Sequence, residues 1–218
     1  MEFKQNKIVR LEDLPKGFSF NLDNEDDLIS PNGIFSTVWK VRDENGKVYA
    51  GKFQKRAFIR AWNEYLNDSS YLDAVASGRN HENWMAKKIY DINSDYTLKP
   101  EGVFAVKLEG EYAVGLEGDV RFPAFVQEYD ESFVAKKKLE RYNDILQELV
   151  KKGFFFNKDA LWEGNNLENE SGKIKLIDFA LWGYNGVISP CPFFYDDSRL
   201  PNNPQGWYDF SQSLLIEK

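Results

Sequence analysis

"GKIKLIDFALWG", residues 172–183, is the stretch from which the rest of the chain is read. Ile174, Leu176, Ile177 and Phe179 form an apolar run suited to a buried strand that passes into a turn. Asp178 stands where that strand should end. A carboxylate is costly to bury unless a cation or hydrogen-bond donors compensate it. Its position therefore calls for a partner.

Upstream, "GFFFNKDALWEGNNLE", residues 153–168, sets Asp159 after an aromatic run, with Asn165 and Asn166 close behind. Leu139, Tyr142, Leu146, Leu149 and Val150 recur at helical spacing before it, so a helix is predicted over 134–152. The "NESGK" turn then leads into the strand that carries Asp178. Helix, Asp, Asn, hairpin, Asp is an order used in phosphoryl transfer. A metal-bound triphosphate needs carboxylate and amide oxygens on the metal, and a separate carboxylate must face the hydroxyl nucleophile.

In the first half, "GIFSTVWKVRD" (33–43) alternates around Phe35, Val38 and Val41, reaches the turn "DENGK", and is followed by "VYAGKFQ" (48–54). Two β-rich runs around Asn45-Gly46 predict a hairpin. A helical region follows over about 55–91, with a break expected near "SGRN", 77–80. In its second part, Met85, Ile89 and Ile92 share one side, and Trp84, Lys88 and Asp91 another. "VFAVKLEGEYAVGLEGD" (103–119) and "FPAFVQEYD" (122–130) read as strands, and a last helix is expected from about Trp207. Residues 1–20, broken by Pro15 and Gly17, read as an N-terminal arm. The class is α+β, strand-rich first and helical second.

Composition narrows the possibilities. The 218 residues are 42% hydrophobic and 16% aromatic, which is ample for a folded core. A net charge of −7 argues against a nucleic-acid partner, whose binding face is usually basic. One cysteine, Cys191, and one histidine, His81, leave no basis for a disulfide, a structural zinc site or a serine-hydrolase triad, and both read as structural residues. The start "MEFKQNKIVRLEDLPKG" has no apolar leader, and no window approaches eighteen apolar residues. A soluble chain without a classical signal peptide is expected, cytoplasmic or delivered into a host cell, with no membrane partner.

"SPNGIFSTVWKVRDENGKVYAGK", 30–52, resembles the glycine-rich loop and following strands of protein kinases. Gly33, Phe35, Ser36 and Val38 fall at the loop's second glycine, aromatic tip, third glycine and following valine, with Ile34 between them. Ala50 and Lys52 match the Ala-x-Lys of the next strand. "AFVQEYDES" resembles the hinge, which makes Gln127 the gatekeeper and places Glu128 to Asp130 against adenine. "GWYDFSQSLL" resembles the start of the large C-lobe helix, where Asp209 would brace the catalytic loop.

The resemblance implies a bilobal protein-kinase-like fold: an arm (1–20), a β-rich N-lobe (21–129) and a truncated helical C-lobe (130–218). It also implies ATP and magnesium as cofactors and a protein Ser/Thr hydroxyl, in a host protein for example, as acceptor of the γ-phosphoryl. Lys52 would pair with Glu82, or alternatively Glu64. Asp159 would orient the hydroxyl, and Asp178 with Asn165, or Asn166, would hold the metal. The departures are Pro31 and Ser36 at glycine positions, Asn157-Lys158-Asp159 for His-Arg-Asp, Asp178-Phe179-Ala180 for Asp-Phe-Gly, and no Ala-Pro-Glu. Such truncation is similar to the minimal bacterial effector kinases of the OspG and NleH type, which implies a virulence effector working as a monomer. Two alternatives stay open: a pseudokinase binding module, favoured by the degenerate glycines, and a small-molecule kinase of the aminoglycoside phosphotransferase sort. Each motif also has a plain reading, such as a solvated strand lysine for Lys52 or a turn carboxylate for Asp178. Their order and spacing together carry the resemblance.

Overall fold

A computed structural model of the chain describes residues 2, 4–30, 36–55, 69–114, 119–135, 140–157, 165–190 and 204–215. In chain order its elements are β1 (Lys4–Gln5), β2 (Phe18–Asn21), β3 (Leu28–Ser30), β4 (Ser36–Asp43), β5 (Val48–Gln54), α1 (Ser69–Ile92), β6 (Pro100–Glu109), the single turn α2 (Glu111–Val114) and β7 (Arg121–Glu128). They continue with β8 (Val134–Ala135), α3 (Glu140–Lys151), β9 (Phe154–Phe156), β10 (Asn166–Glu168), β11 (Ile174–Leu176), β12 (Trp182–Tyr184), β13 (Val187–Ile188) and α4 (Pro204–Ser213). The chain divides into a barrel unit, Ile8–Asn80 with Pro100–Tyr129, and a second unit, Met1–Lys7, His81–Lys99 and Asp130–Lys218.

The barrel unit is organised by the hairpin predicted around Asn45-Gly46. Gly46 takes φ +78°, and the Asp43 carboxylate accepts from the amides of Asn45 and Lys47, both at 2.9 Å. β4 and β5 then pair antiparallel from Arg42↔Val48 to Ser36↔Gln54. The sheet order is β2-β6-β7-β5-β4-β3, and β2 also pairs with β4, so five strands close into a barrel with β3 outside the ring. Phe20, Val41, Phe53, Val106 and Phe122 are buried on one alternation of these strands, with Phe20 stacked on Phe53 at 4.4 Å between centroids. The interior has no slack at Gly51, where a Cβ would lie 2.4 Å from Val41 Cγ1.

The segment before Phe18 is tied down rather than free. The amide of Val9 donates to Ser77 Oγ at 2.9 Å and that of Leu11 to Asp73 Oδ1 at 2.8 Å, while Leu14 joins Ala76, Val103 and Ala105 in a core cluster. The same contacts explain why α1 runs unbroken through Ser77–Asn80: the Ser77 hydroxyl is satisfied by Asp73 O (2.8 Å) and Val9, so it does not compete with the helix.

In the second unit, β1-β13-β12-β9 form one sheet and β11-β10-β8 another. α3 buries Tyr142, Leu146, Leu149 and Val150, the stripe read from the sequence. Phe154, Phe155 and Phe156 are all buried, and Gly183 on β12 is the seat of the Phe155 ring, since a Cβ there would fall 2.1 Å from Phe155 Cζ.

The expected bilobal protein-kinase-like fold with a helical C-lobe is therefore corrected. The fold is α+β with a closed five-stranded barrel, and only three helices longer than one turn occur among the described residues. Two causes are visible. The arm supplies β2, which closes the sheet into a barrel, and the chain after Lys152 forms two- and three-residue strands, so that α4 is the one helix there among the described residues. "EYAV", read as strand, is the helical turn α2.

The brace on the end of β9 also differs from expectation. Asp209 is exposed and accepts from Gln205 Nε2 on its own helix at 2.7 Å. The buried hydroxyl of Ser211 takes the bracing place, accepting from Phe156 N at 2.9 Å and donating to Trp207 O at 2.8 Å. Ser211→Ala leaves a buried amide unsatisfied and should cost about 1–3 kcal/mol, whereas Asp209→Ala should stay within about 0.5 kcal/mol. Urea unfolding of both variants checks this, and the reverse order would remove Ser211 as the brace.

Candidate functional site

Two groups of the sequence-predicted residues come together, one in each unit. In the barrel unit, strand pairing sets Val38 opposite Lys52, Lys40 opposite Ala50, Ala50 opposite Gln127 and Lys52 opposite Phe125. Paired residues share a face. Val38, Ala50, Lys52 and Gln127 thus lie on one outer face of the barrel, as an apolar bed with two lysines in it. Ser36 and Gln54 continue the row, and both accept from Nη2 of the buried Arg79, at 2.7 and 3.3 Å. Gln127 Oε1 is buried with no hydrogen-bond partner. Glu128 falls on the opposite alternation and is exposed. Gly33, Ile34 and Phe35, the tip of the predicted loop, lie outside the described residues, as does Glu64.

The other residues belong to the second unit. Asp130 is a turn residue, where the hydroxyl and backbone amide of Ser132 hold its carboxyl below the usual range. Glu82 is fully buried on α1 and belongs to a different unit from Lys52. Asp159 lies outside the described residues.

Asn165 and Asp178 meet at the open end of one hairpin. β10 and β11 pair from Glu168↔Ile174 to Asn166↔Leu176, and one step further the Ile177 amide donates to Asn165 O at 3.0 Å. β11 is held from its other side by Thr97 Oγ1, which donates to Leu176 O at 2.9 Å, and by the Leu176 amide, which donates to Tyr96 O at 2.6 Å. The chain then turns, with Trp182 N on Phe179 O at 3.2 Å, and enters β12 beside β9, where Asn157 N donates to Leu181 O at 3.4 Å. Residues 177–181 are consequently clamped between Asn165 and Asn157.

Asp178 takes φ +65° in this turn. A non-glycine residue in the left-handed region costs on the order of 1 kcal/mol, although aspartate tolerates it better than most. Its charge acts on Tyr142 of α3, whose phenol is pushed up first by burial and then by Asp178. Two further polar atoms here, Asn157 Nδ2 and Asn166 Oδ1, are buried without a hydrogen-bond partner. Asn166 is the sequence-predicted alternative to Asn165 as a metal ligand, whereas neither Tyr142 nor Asn157 is given a role in the site. An apolar helical stripe hides Tyr142, and nothing in a polar turn marks which amide will be buried.

The donor set has a definite chemistry. Among the described residues no three His, Cys, Asp or Glu side chains cluster as a zinc-type cage would need. One carboxylate and one amide oxygen fit magnesium, which is held by few protein oxygens and keeps its waters and the phosphates of a substrate. No helix among the described residues is long and apolar enough to cross a membrane. No protein-family model matches the sequence, and no curated protein is significantly similar to it.

The backbone at Asp178 can be tested apart from its carboxylate. Asp178→Gly and Asp178→Ala both remove the acid, but only glycine accepts φ +65° without strain. The glycine variant should be about 1 kcal/mol more stable than the alanine variant in urea unfolding. Equal stabilities would mean that the positive φ is not imposed by the surrounding clamp.

Proposed function

We propose that the chain is a magnesium- and ATP-dependent phosphotransferase whose acceptor is a serine or threonine hydroxyl of another protein. The observation that carries this reading is the meeting of Asn165 and Asp178 at the clamped turn, with Asp178 in a conformation that only a tightly determined backbone sustains. In this reading the carboxylate of Asp178 and the side-chain oxygen of Asn165 face a magnesium ion. That ion, when bound, neutralises charge on the phosphate oxygens. The resemblance gives Val38 and Ala50 a role toward a nucleotide base and Lys52 one toward its phosphates, and it has Asp159 orient the acceptor hydroxyl and take its proton. The acid–base step rests on the resemblance read in residues 153–168, and the nucleotide contacts also on the shared barrel face.

A second reading is a nucleotide-binding module without transfer. It is favoured by Ser36, which stands where a loop glycine would give a phosphate close backbone approach. That serine is instead buried and hydrogen-bonded to Arg79.

The experiment incubates the purified chain with γ-labelled ATP, magnesium and a eukaryotic cell lysate, beside Asp178→Ala. Label should enter protein Ser/Thr only with magnesium, and the variant should lose at least about 100-fold in rate. Magnesium-dependent ATP binding without transfer would select the module. Equal labelling by Asp178→Ala would remove Asp178 from the reaction, and no ATP binding at all would end both readings.

A further inference from the structure

The lone histidine sits in a directed chain of hydrogen bonds inside the second unit. His81 is fully buried, and its Nε2 lies 2.7 Å from Trp182 O. A carbonyl cannot donate, so Nε2 carries the proton and, in the neutral ring, Nδ1 is an acceptor. Asn6 Nδ2 lies 3.3 Å from Nδ1 and donates to it. The asparagine cannot simply be turned over, because its Oδ1 already accepts from the Lys7 amide at 2.8 Å. Every donor in the series Lys7, Asn6, His81 points the same way, and it ends on β12.

This series is a large part of what holds the start of the chain. β1 pairs with β13 over two residues only, through Lys4 N to Gly186 O (2.8 Å) and Asn6 N to Ile188 O (2.9 Å), and Lys4 and Gln5 are exposed. A second proton on His81 can enter only at Nδ1, where it would meet the Asn6 N–H₂ donor to donor. Burial disfavours that charged form most strongly and brings the imidazole down to about 4. The Trp182 carbonyl and the neighbouring Glu82 act in the opposite direction. The other charged or titratable groups on the elements around it are Glu2, Lys4 and Lys7 on the N-terminal segment, Tyr71, Asp73, Arg79, Lys87, Lys88, Tyr90 and Asp91 on α1, and Tyr184 on β12, with Lys88 Nζ 5.9 Å from the Tyr184 ring centre. Of the acids on these elements, Glu82 is the one whose charge acts on the ring.

We propose that residues 4–7 are an acid-released latch: protonation of His81 frees this segment from β13 and bares the edge of that strand. The sign follows from linkage. The latched value lies below the free value of 6.5, so the latch is complete above about pH 6.5 and is lost as pH falls toward 4.

Hydrogen exchange read by NMR on the full chain tests it. The opening equilibria of the Lys4 and Asn6 amides, corrected for intrinsic exchange, should rise at least about tenfold between pH 7.5 and 5.0, while those of β10 and β11 stay level. The single histidine gives one set of imidazole signals, which should report a neutral ring with the proton on Nε2 at pH 7.5. Asn6→Asp turns the donor into an acceptor, so this variant of a half-buried side chain should keep or tighten the latch at pH 5.0. His81→Gln should make opening independent of pH. Unchanged protection of Lys4 and Asn6 in the wild type would overturn the proposal, as would the same pH response in Asn6→Asp.

Discussion

The hydrogen bond from Ile177 N to Asn165 O, one step beyond the last rung of the β10–β11 ladder, is the contact on which the second unit's candidate chemistry depends. It fixes where Asn165 and Asp178 stand relative to each other without any direct contact between their side chains being required. The bond from Asn157 N to Leu181 O restrains the other end of the turn. With both ends held, the five residues between have few ways to connect β11 to β12. The left-handed Asp178 is the conformation that results. Local strain of this kind persists only where packing over-determines it, and Phe179 and Trp182, 5.3 Å apart and both buried, supply that packing.

The barrel unit meets a different constraint with the same economy of elements. An open sheet of β3 to β7 would expose the free edge of β6, a template for unwanted pairing. β2 fills that edge by pairing with β6 on one side and β4 on the other. Closure then buries Phe20 against Phe53 and Phe122 inside the ring. Val38, Ala50 and Lys52 fall on the outer face, in the row that Ser36 and Gln54 continue to Arg79 of α1.

Local signals in the sequence proved more legible than global ones. The Asn45-Gly46 hairpin follows from turn chemistry that needs no tertiary context, and the stripe of α3 follows from helical period. The pairing of Asn165 with the end of the Asp178 strand follows from one hairpin closed by "NESGK". What could not be read depends on partners far away in the chain. β2 is four residues long and becomes a strand because β4 and β6 receive it. Ser211 and Asp209 are two residues apart on one helix, and only the packed structure decides that the hydroxyl is the one turned to Phe156. The short strands β9, β12 and β13 fall below the length at which period distinguishes strand from helix. The helical second half expected from the sequence is accordingly corrected to α3, α4 and a set of short strands among the described residues.

The central claim is that Asn165 and Asp178 share one divalent cation with a nucleotide's phosphates. Paramagnetic broadening by Mn²⁺, a substitute for magnesium, measures this most directly in the amide spectrum of the chain bound to a non-hydrolysable ATP analogue. The account predicts that broadening is strongest at Asn165 and residues 177–179, and that Asp178→Ala abolishes it. Broadening centred elsewhere, for example on the exposed acidic run Glu25–Asp26, or unchanged in Asp178→Ala, would contradict it.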